Sequence, residues 1–558
     1  MSPYLFVIAM EVLSKILAKR IADSHSFKFH WKCDKIKLSH LCFADDLIML
    51  CHGSPSSAHV LKAALDEFSL LSGLLANHAK SNIFTSGLSS STNQQLINLF
   101  GYTVGSLPIR YLGIPIISTK LCLRDCSSLV DKVSGRLSSW LNRGLSYAGR
   151  LQLIVSVLSS LQVFWASYLC LLIKILKIIE RKFRSFLWKG VDGDSKGAKI
   201  SWSDICLPKK EGGLGIMVLS SWNKALMIRH LWILIYGTNN LWSSWIKAYH
   251  LKGCNIWEAK APNICSWNWR KLLHLRLIVR PLIQHFIGNG SSTSLWFDNW
   301  HPDGPLLLKW SPRVVYDSGL PINAVVNTIV LGDSWRWPVA MSIDLAEIRS
   351  QMPTYNPNSD LEDSIRWLPS SNGIYSASSA LASLKAPHPL VPWFKLVWFP
   401  QNIPRMSFIL WMAVRGRLST RDRIHKYDPR AVTTCVLCNS HLESHAHLFF
   451  ECSFSRAIWT QLLNYCWSPW NGLSWNAFIA WASAHWRGDT PIIVTKKLFL
   501  VVAVYHIWRE RNCRIFEGTK KSSSVVVCRI IDTIRCRLSS INLKDHPLIT
   551  LNWIVNAN

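Results

Sequence analysis

Two short stretches of this chain hold residue types that can do chemistry. In "CVLCNSHLESHAHLFFEC", Cys435 and Cys438 form the only C-x-x-C of the sequence, and His447 and Cys452 follow, giving C-x2-C-x8-H-x4-C. Thiolate and imidazole donors in two close pairs suit tetrahedral Zn2+, and four protein ligands leave no open position, so the expected zinc is structural. His441 and His445 are rivals for the third ligand, because zinc sites accept varied loop lengths. The second stretch is "LSHLCFADDLIML", residues 38–50, where Asp45 and Asp46 interrupt an apolar run. Two unpaired carboxylates inside a buried strand would cost too much to desolvate, so they belong at a bend or on a cation. At a hairpin tip such a pair can ligate Mg2+, which prefers hard oxygen donors, and metals so held activate the attacking hydroxyl in phosphoryl transfer. The dipeptide alone also fits a solvated turn, since Asp is a common turn former.

The elements that must position these residues can be read from periodicity. In the opening segment Leu5, Ile8, Ala9, Val12 and Ile16 recur at helical spacing, with Glu11, Lys15 and Lys19 elsewhere on the wheel, so that face is expected to pack on a sheet. "KIKLSHLCFADDLIMLC" reads as strand, two-residue turn, strand, with the aspartates at the tip. Residues 55–81 return to a helical period, and 96–245 read as mostly helical with turns at "GYTVGSLPIRYLGIP", "DGDSKG" and "KKEGGLG". Residues 246–385 are more broken and partly β, and the prolines of "KAPHPLVPW" mark a boundary near 386.

With 558 residues and 49% hydrophobic side chains, the chain can bury several cores, which excludes global disorder. The net charge of +29 is spread along the sequence and points to a polyanionic partner such as nucleic acid. Sixteen scattered cysteines with no secretory leader read as reduced thiols of an intracellular protein, nuclear or cytoplasmic and not secreted. The uncharged run 151–173 is long enough to span a bilayer, but its serines and glutamines argue for a packed helix and against a membrane partner. "WNWRKLLHLRL", "WMAVRGRLSTRDRIHK" and "YHIWRERNCRIF" place arginines beside tryptophans, as in surfaces that hold single-stranded nucleic acid. Arg415, Arg417, Arg421 and Arg423, next to the cysteine pair, are the expected phosphate contacts. "KKEGGLG" lacks the Gly-Lys-Ser/Thr ending of a phosphate loop and reads as a turn.

"SPYLFVIAMEVLSKIL", "FADDLIML" and "SGLLANHAKS", followed by "LPIRYLGIPI", "WLNRGLSYAGRLQLI", "FLWKG", "KKEGGLG", "SLWFDNW" and the cysteine-histidine cluster, resemble the later motifs of reverse transcriptases of plant non-long-terminal-repeat (LINE-type) retrotransposons. The resemblance implies an α+β, predominantly helical chain: a partial polymerase palm of one β-hairpin plus helices at 1–85, a helical thumb and connection at 86–245, a mixed α/β linker region at 246–385, a small zinc-binding domain at 386–465 and a helical tail at 466–558. It implies RNA-directed DNA synthesis with Asp45 and Asp46 as Mg2+ ligands, with Phe43, Asn77 and Lys80 on the substrate side, and with RNA and DNA as partners. The family pattern also needs a third aspartate and fingers ahead of "SPYLF", which this sequence does not carry. The expectation is therefore a truncated polymerase, inactive alone because catalytic ligand sets act as units, with an exposed palm edge open to association. Mg2+ is expected only where a complete site exists. The rival expectation is a non-catalytic, zinc-dependent nucleic-acid-binding protein retained from such an element.

Overall fold

The computed structural model describes residues 2–117, 120–140, 144–190, 197–263, 265–339, 341–466 and 473–541. The turn expected at "DGDSKG" and the end of the expected tail lie largely outside these residues. The described chain is predominantly helical, and its strands form five two-stranded sheets. Two compact units divide it. One comprises 1–127, 165–172 and 221–385, and the other 128–164, 173–220 and 386–558.

In the first unit, the helix Ser2–Ala22 packs Leu13, Ile16 and Leu17 on Leu61, Ala64 and Phe68 of the helix Pro55–Ser72. The second helix starts where the Ser54 side chain accepts the Ser57 N–H, and it stops at Gly73, whose φ of 70° a β-carbon would disfavour. The expected packing face is corrected here. Leu5, Ile8 and Val12 are exposed, and Ile16 alone of that set joins the core, because the opening helix is apolar on more than one side and periodicity cannot choose between faces.

The strands His40–Phe43 and Asp46–Met49 form the expected antiparallel hairpin, with Phe43 opposite Asp46. Its two turn residues are Ala44, at φ 50°, and Asp45; Asp46 is already a strand residue, so only one aspartate occupies the tip. Leu47 and Met49 fix this register by packing against the two-helix core, and a one-residue slip would turn both into solvent. "GYTVGSLPIRYLGIP", read as a turn in a helical region, holds short strands instead: Thr103–Val104 pairs with Asn82–Ile83, and Ile109–Tyr111 pairs with Ile114–Ile116. Further along, a tryptophan-rich core gathers Trp296, Trp300, Trp310 and Trp337.

In the second unit, the helix Pro404–Val414 buries every residue from Met406 to Ala413, and the helix Pro491–Phe516 packs beside it. By length and composition the latter could cross a membrane, but 72% of its apolar window is buried, as expected of a core helix. Most of the uncharged run 151–173 lies in one continuous helical stretch, in which the helix Tyr147–Leu153 passes through a wider turn, Ile154–Leu158, into the helix Ser159–Tyr168. "KKEGGLG" is a packing turn: a β-carbon on Gly213 would stand 2.0 Å from the Leu207 carbonyl oxygen. No disulfide joins the described cysteines.

Candidate metal centre and acidic hairpin

The four residues of the cysteine-histidine motif converge. One donor atom from each of Cys435, Cys438, His447 and Cys452 lies within 4.8 Å of the other three. Cys435 Sγ is 4.0 Å from Cys452 Sγ, and Cys438 Sγ is 3.4 Å from His447 Nε2. Ligands held at zinc-sulfur and zinc-nitrogen lengths stand about 3.8 and about 3.5 Å apart at tetrahedral angles, so a zinc ion fits with little movement.

Local structure sets this up. The Asn439 N–H returns to the Cys435 carbonyl at 2.8 Å, and Asn439 takes φ 57°, a left-handed conformation that Asn tolerates, so the chain turns back under the first thiol pair. The Cys435 N–H bonds the His441 carbonyl at 2.7 Å. A single wide helical turn, His447–Glu451, then brings His447 and Cys452 to one side, with the Cys452 N–H on the His447 carbonyl at 2.7 Å. Of the rival ligands, His441 is exposed and outside the cluster, while His445 turns its Nδ1 toward Thr420 Oγ1 at 3.4 Å.

Cys435 shares its proton with Cys452, which holds Cys435 well above the usual thiol range and Cys452 below it. Burial, then the neighbouring His441, pushes the His447 pKa down and keeps the imidazole neutral, as a ligand must be. Metal binding at such a site displaces the shared proton.

Charged side chains not anticipated from the sequence brace the loop that carries the ligands. Glu443, between the two ligand pairs, is fully buried and accepts Arg511 Nη2 at 2.7 Å and the Arg421 N–H at 2.9 Å. Arg511 belongs to the buried helix Pro491–Phe516 and is itself 2% exposed. One turn further on, Arg514 donates to the Leu437 carbonyl at 3.0 Å and lies over the Phe454 ring at 4.4 Å. The metal loop is thus clamped at two points by one helix. The only sequence signal for this clamp was a glutamate inside the ligand loop.

The expected phosphate arginines are largely engaged. Arg415 donates to Asp204 Oδ2 at 3.0 Å and to the Gly212 carbonyl at 2.8 Å, Arg421 to the Thr434 carbonyl, and Arg423 to the Gly416 carbonyl at 2.8 Å. Arg417 is exposed, and among the described residues its side chain makes no hydrogen bond or ion pair. Trp411 and Trp508 are buried core residues rather than stacking platforms.

The acidic hairpin is organised differently. His40 bridges Ser39 Oγ and Ser14 Oγ, each at 3.0 Å, and so ties the hairpin base to the opening helix. Its far end, Phe43 to Asp46, is exposed, with Phe43 60% accessible. Among the described residues no third His, Cys, Asp or Glu donor joins Asp45 and Asp46. Tyr111 is a neighbour that the sequence reading gave no role. Burial, then the charge of Asp46, raises its pKa. Asn77 is used locally, its Oδ1 accepting the Ala79 N–H at 3.0 Å and the Lys80 N–H at 3.2 Å, while the Lys80 side chain is exposed.

Two segments of the chain match known families. Residues 1–116 match the family described as reverse transcriptase (RNA-dependent DNA polymerase), and residues 375–459 match the one described as zinc-binding in reverse transcriptase. Two separate segments of the chain are thus similar to a reverse transcriptase and to the zinc-binding region of reverse transcriptases, and the second segment contains the four converging donors. Its relatives are from plants. The chain is 28% identical over 367 residues to a protein of Arabidopsis thaliana named "Putative ribonuclease H protein", covering 63% of this chain and 58% of that relative. It is 25% identical over 135 residues to an "Uncharacterized mitochondrial protein" of the same plant, covering 23% of this chain and 88% of the relative. These matches are consistent with a reverse transcriptase of a plant non-long-terminal-repeat retrotransposon.

Proposed function

We propose that this chain is a nucleic-acid-handling protein of retroelement origin, built around a structural zinc and carrying an incomplete polymerase site. The observation that supports this most directly is the convergence of three thiols and one imidazole in a buried pocket with all four tetrahedral positions supplied by protein. Zinc there would join two loop ends and contribute folding free energy; a catalytic zinc would need an open position. RNA and DNA are the proposed partners, supported by the match to polymerase and zinc-binding families and by the net charge of +29.

For the acidic pair we infer Mg2+ affinity too weak for polymerisation by this chain alone. Two carboxylates on an exposed turn, with no third donor among the described residues, leave a two-metal site short of ligands. Phe43, Asn77 and Lys80 would line the substrate side only when such a site is complete. The outer edges of the hairpin are a proposed surface for association.

The test has two parts. Elemental analysis of purified protein should find one zinc per chain, and Cys435→Ser should lose it. Primer extension on an RNA template with Mg2+ should give no product. Product that disappears in Asp45→Ala would overturn the incomplete-site reading while leaving the zinc assignment untouched.

A further inference from the structure

The arginines of "WRERNCR" divide into two jobs. Arg511 and Arg514 face the zinc module, as described above. Arg509, on the same helix, turns elsewhere: with Lys521, and with Arg529 of the following helix Ser523–Ser539, it lines a narrow cleft floored by His506. His506 is buried, and its Nε2 is 3.2 Å from Thr533 Oγ1.

Charge in this cleft is unbalanced. Glu510 also lines it, but its carboxylate is taken, accepting Arg514 Nε at 2.9 Å and the Lys521 N–H at 2.8 Å. Glu517 lies against Cys513 at the margin. Among the described residues, the side chains of Arg509, Lys521 and Arg529 make no hydrogen bond or ion pair. A fourth cation, Arg405, lies over the Tyr505 ring at 4.8 Å. All four cations act on His506, with Arg509 foremost after burial itself. Like charges brought together around a low-dielectric floor repel unless an anion answers them, and guanidinium pairs match the oxygens of one phosphate.

We propose that this cleft seats a backbone phosphate of a nucleic acid strand, with Arg509 and Arg529 as the principal donors and Lys521 as a point charge. The proposal rests on the nucleic-acid reading above and assigns its contact to a surface other than the arginines beside the cysteine pair. The space inside the cleft is about 10 Å³, enough for one water, so the phosphate would lie at its mouth among the three cationic side chains, with the bases further out and recognition independent of sequence.

The experiment uses the full, zinc-loaded chain and a labelled single-stranded RNA, with affinity measured across a salt series. Each phosphate contact on a single strand contributes about 0.7 to the slope of log K against log salt. The double variant Arg509→Gln with Arg529→Gln, which removes the one phosphate contact, should therefore flatten the slope by about 0.7 and keep the wild-type melting temperature, while Arg509→Lys with Arg529→Lys should restore most of it. A glutamine variant that binds RNA with unchanged slope overturns the cleft assignment and leaves the nucleic-acid reading intact. No RNA binding by the wild type overturns both. Stabilisation of the wild type but not the glutamine variant by inorganic pyrophosphate, without RNA binding, overturns the nucleic-acid occupant in favour of a small free anion.

Discussion

The acidic hairpin and the cysteine-histidine module are both short loops with donor atoms suited to a divalent cation, and they are held in opposite ways. The hairpin is fixed only at its base, by two hydroxyls on His40 and by Leu47 and Met49 in the core, and its carboxylates stand in water. The module buries most of its ligands, crosses its own backbone and takes two arginines from one core helix, Arg511 on Glu443 in the middle of the loop and Arg514 on the Leu437 carbonyl within the first cysteine pair. Solvated carboxylates need no partner to be stable, so the hairpin survives without metal. Buried thiols crowded within 4.8 Å have few alternatives to a metal. The difference identifies which site a stability measurement can see.

The largest effect should come from removing the zinc. Structural zinc contributes about 10 kcal/mol or more to small domains at neutral pH, and here the bound loops also receive Arg511 and Arg514. Chelation, or Cys435→Ser, should abolish the cooperative melt of the second unit and speed amide exchange in the helix Pro491–Phe516. A melt unchanged after verified metal loss would make the module a passive loop and erase the contrast.

Next in size is the clamp itself. Glu443 and Arg511 are 0% and 2% exposed, so truncating one partner strands a buried charge, at a cost of about 3 to 5 kcal/mol. Glu443→Ala and Arg511→Ala should each destabilise by that order, and the paired change Glu443→Leu with Arg511→Met should recover much of it. Zinc affinity, read by competition with a chelator, should fall in the single variants, since outer partners orient the ligand loop.

What the sequence disclosed of this clamp follows from distance along the chain. The four metal ligands fall within one short segment, and the chemistry of thiols and imidazole restricts their use, so spacing alone exposed the site. Glu443 and Arg511 are 68 residues apart and belong to no pattern. Arg415 misled for the same reason. In "RGRLSTRDR" it reads as one of a basic run, but its partners Asp204 and Gly212 lie about two hundred residues earlier, held beside each other by the close backbone approach at Gly213. The opening helix shows another limit: apolar on several faces, it gave no sequence ground for preferring Leu13 and Leu17 over Leu5 and Val12.

Acid should act on the module's unit through His506. Burial first, then Arg509, Arg529, Arg405 and Lys521, pushes its pKa down to about 4 from an ordinary 6.5. The folded chain keeps this imidazole neutral while the unfolded chain protonates it below 6.5, so stability is full above that pH and declines as pH falls toward 4. The full shift corresponds to about 3 kcal/mol. His506→Gln should remove that part of the acid loss, with zinc loss affecting both proteins alike. An anion seated in the cleft should also raise the His506 pKa, visible as a shifted imidazole titration by NMR.

The smallest effect, and the one that most sharpens the contrast, is expected at the aspartates. Asp45 lies in a two-residue turn and Asp46 stands across from Phe43, both exposed and without a side-chain partner among the described residues. Asp45→Asn with Asp46→Asn should therefore change stability by no more than about 0.5 kcal/mol, as surface substitutions usually do, and millimolar Mg2+ should leave both melting curves in place. Leu47→Asp should instead unseat the hairpin, because that side chain, and not the acidic pair, fixes it to the core. If Mg2+ stabilised the wild type and not the double variant, the two carboxylates would be holding a cation in this chain, and the hairpin would be a formed metal site like the module.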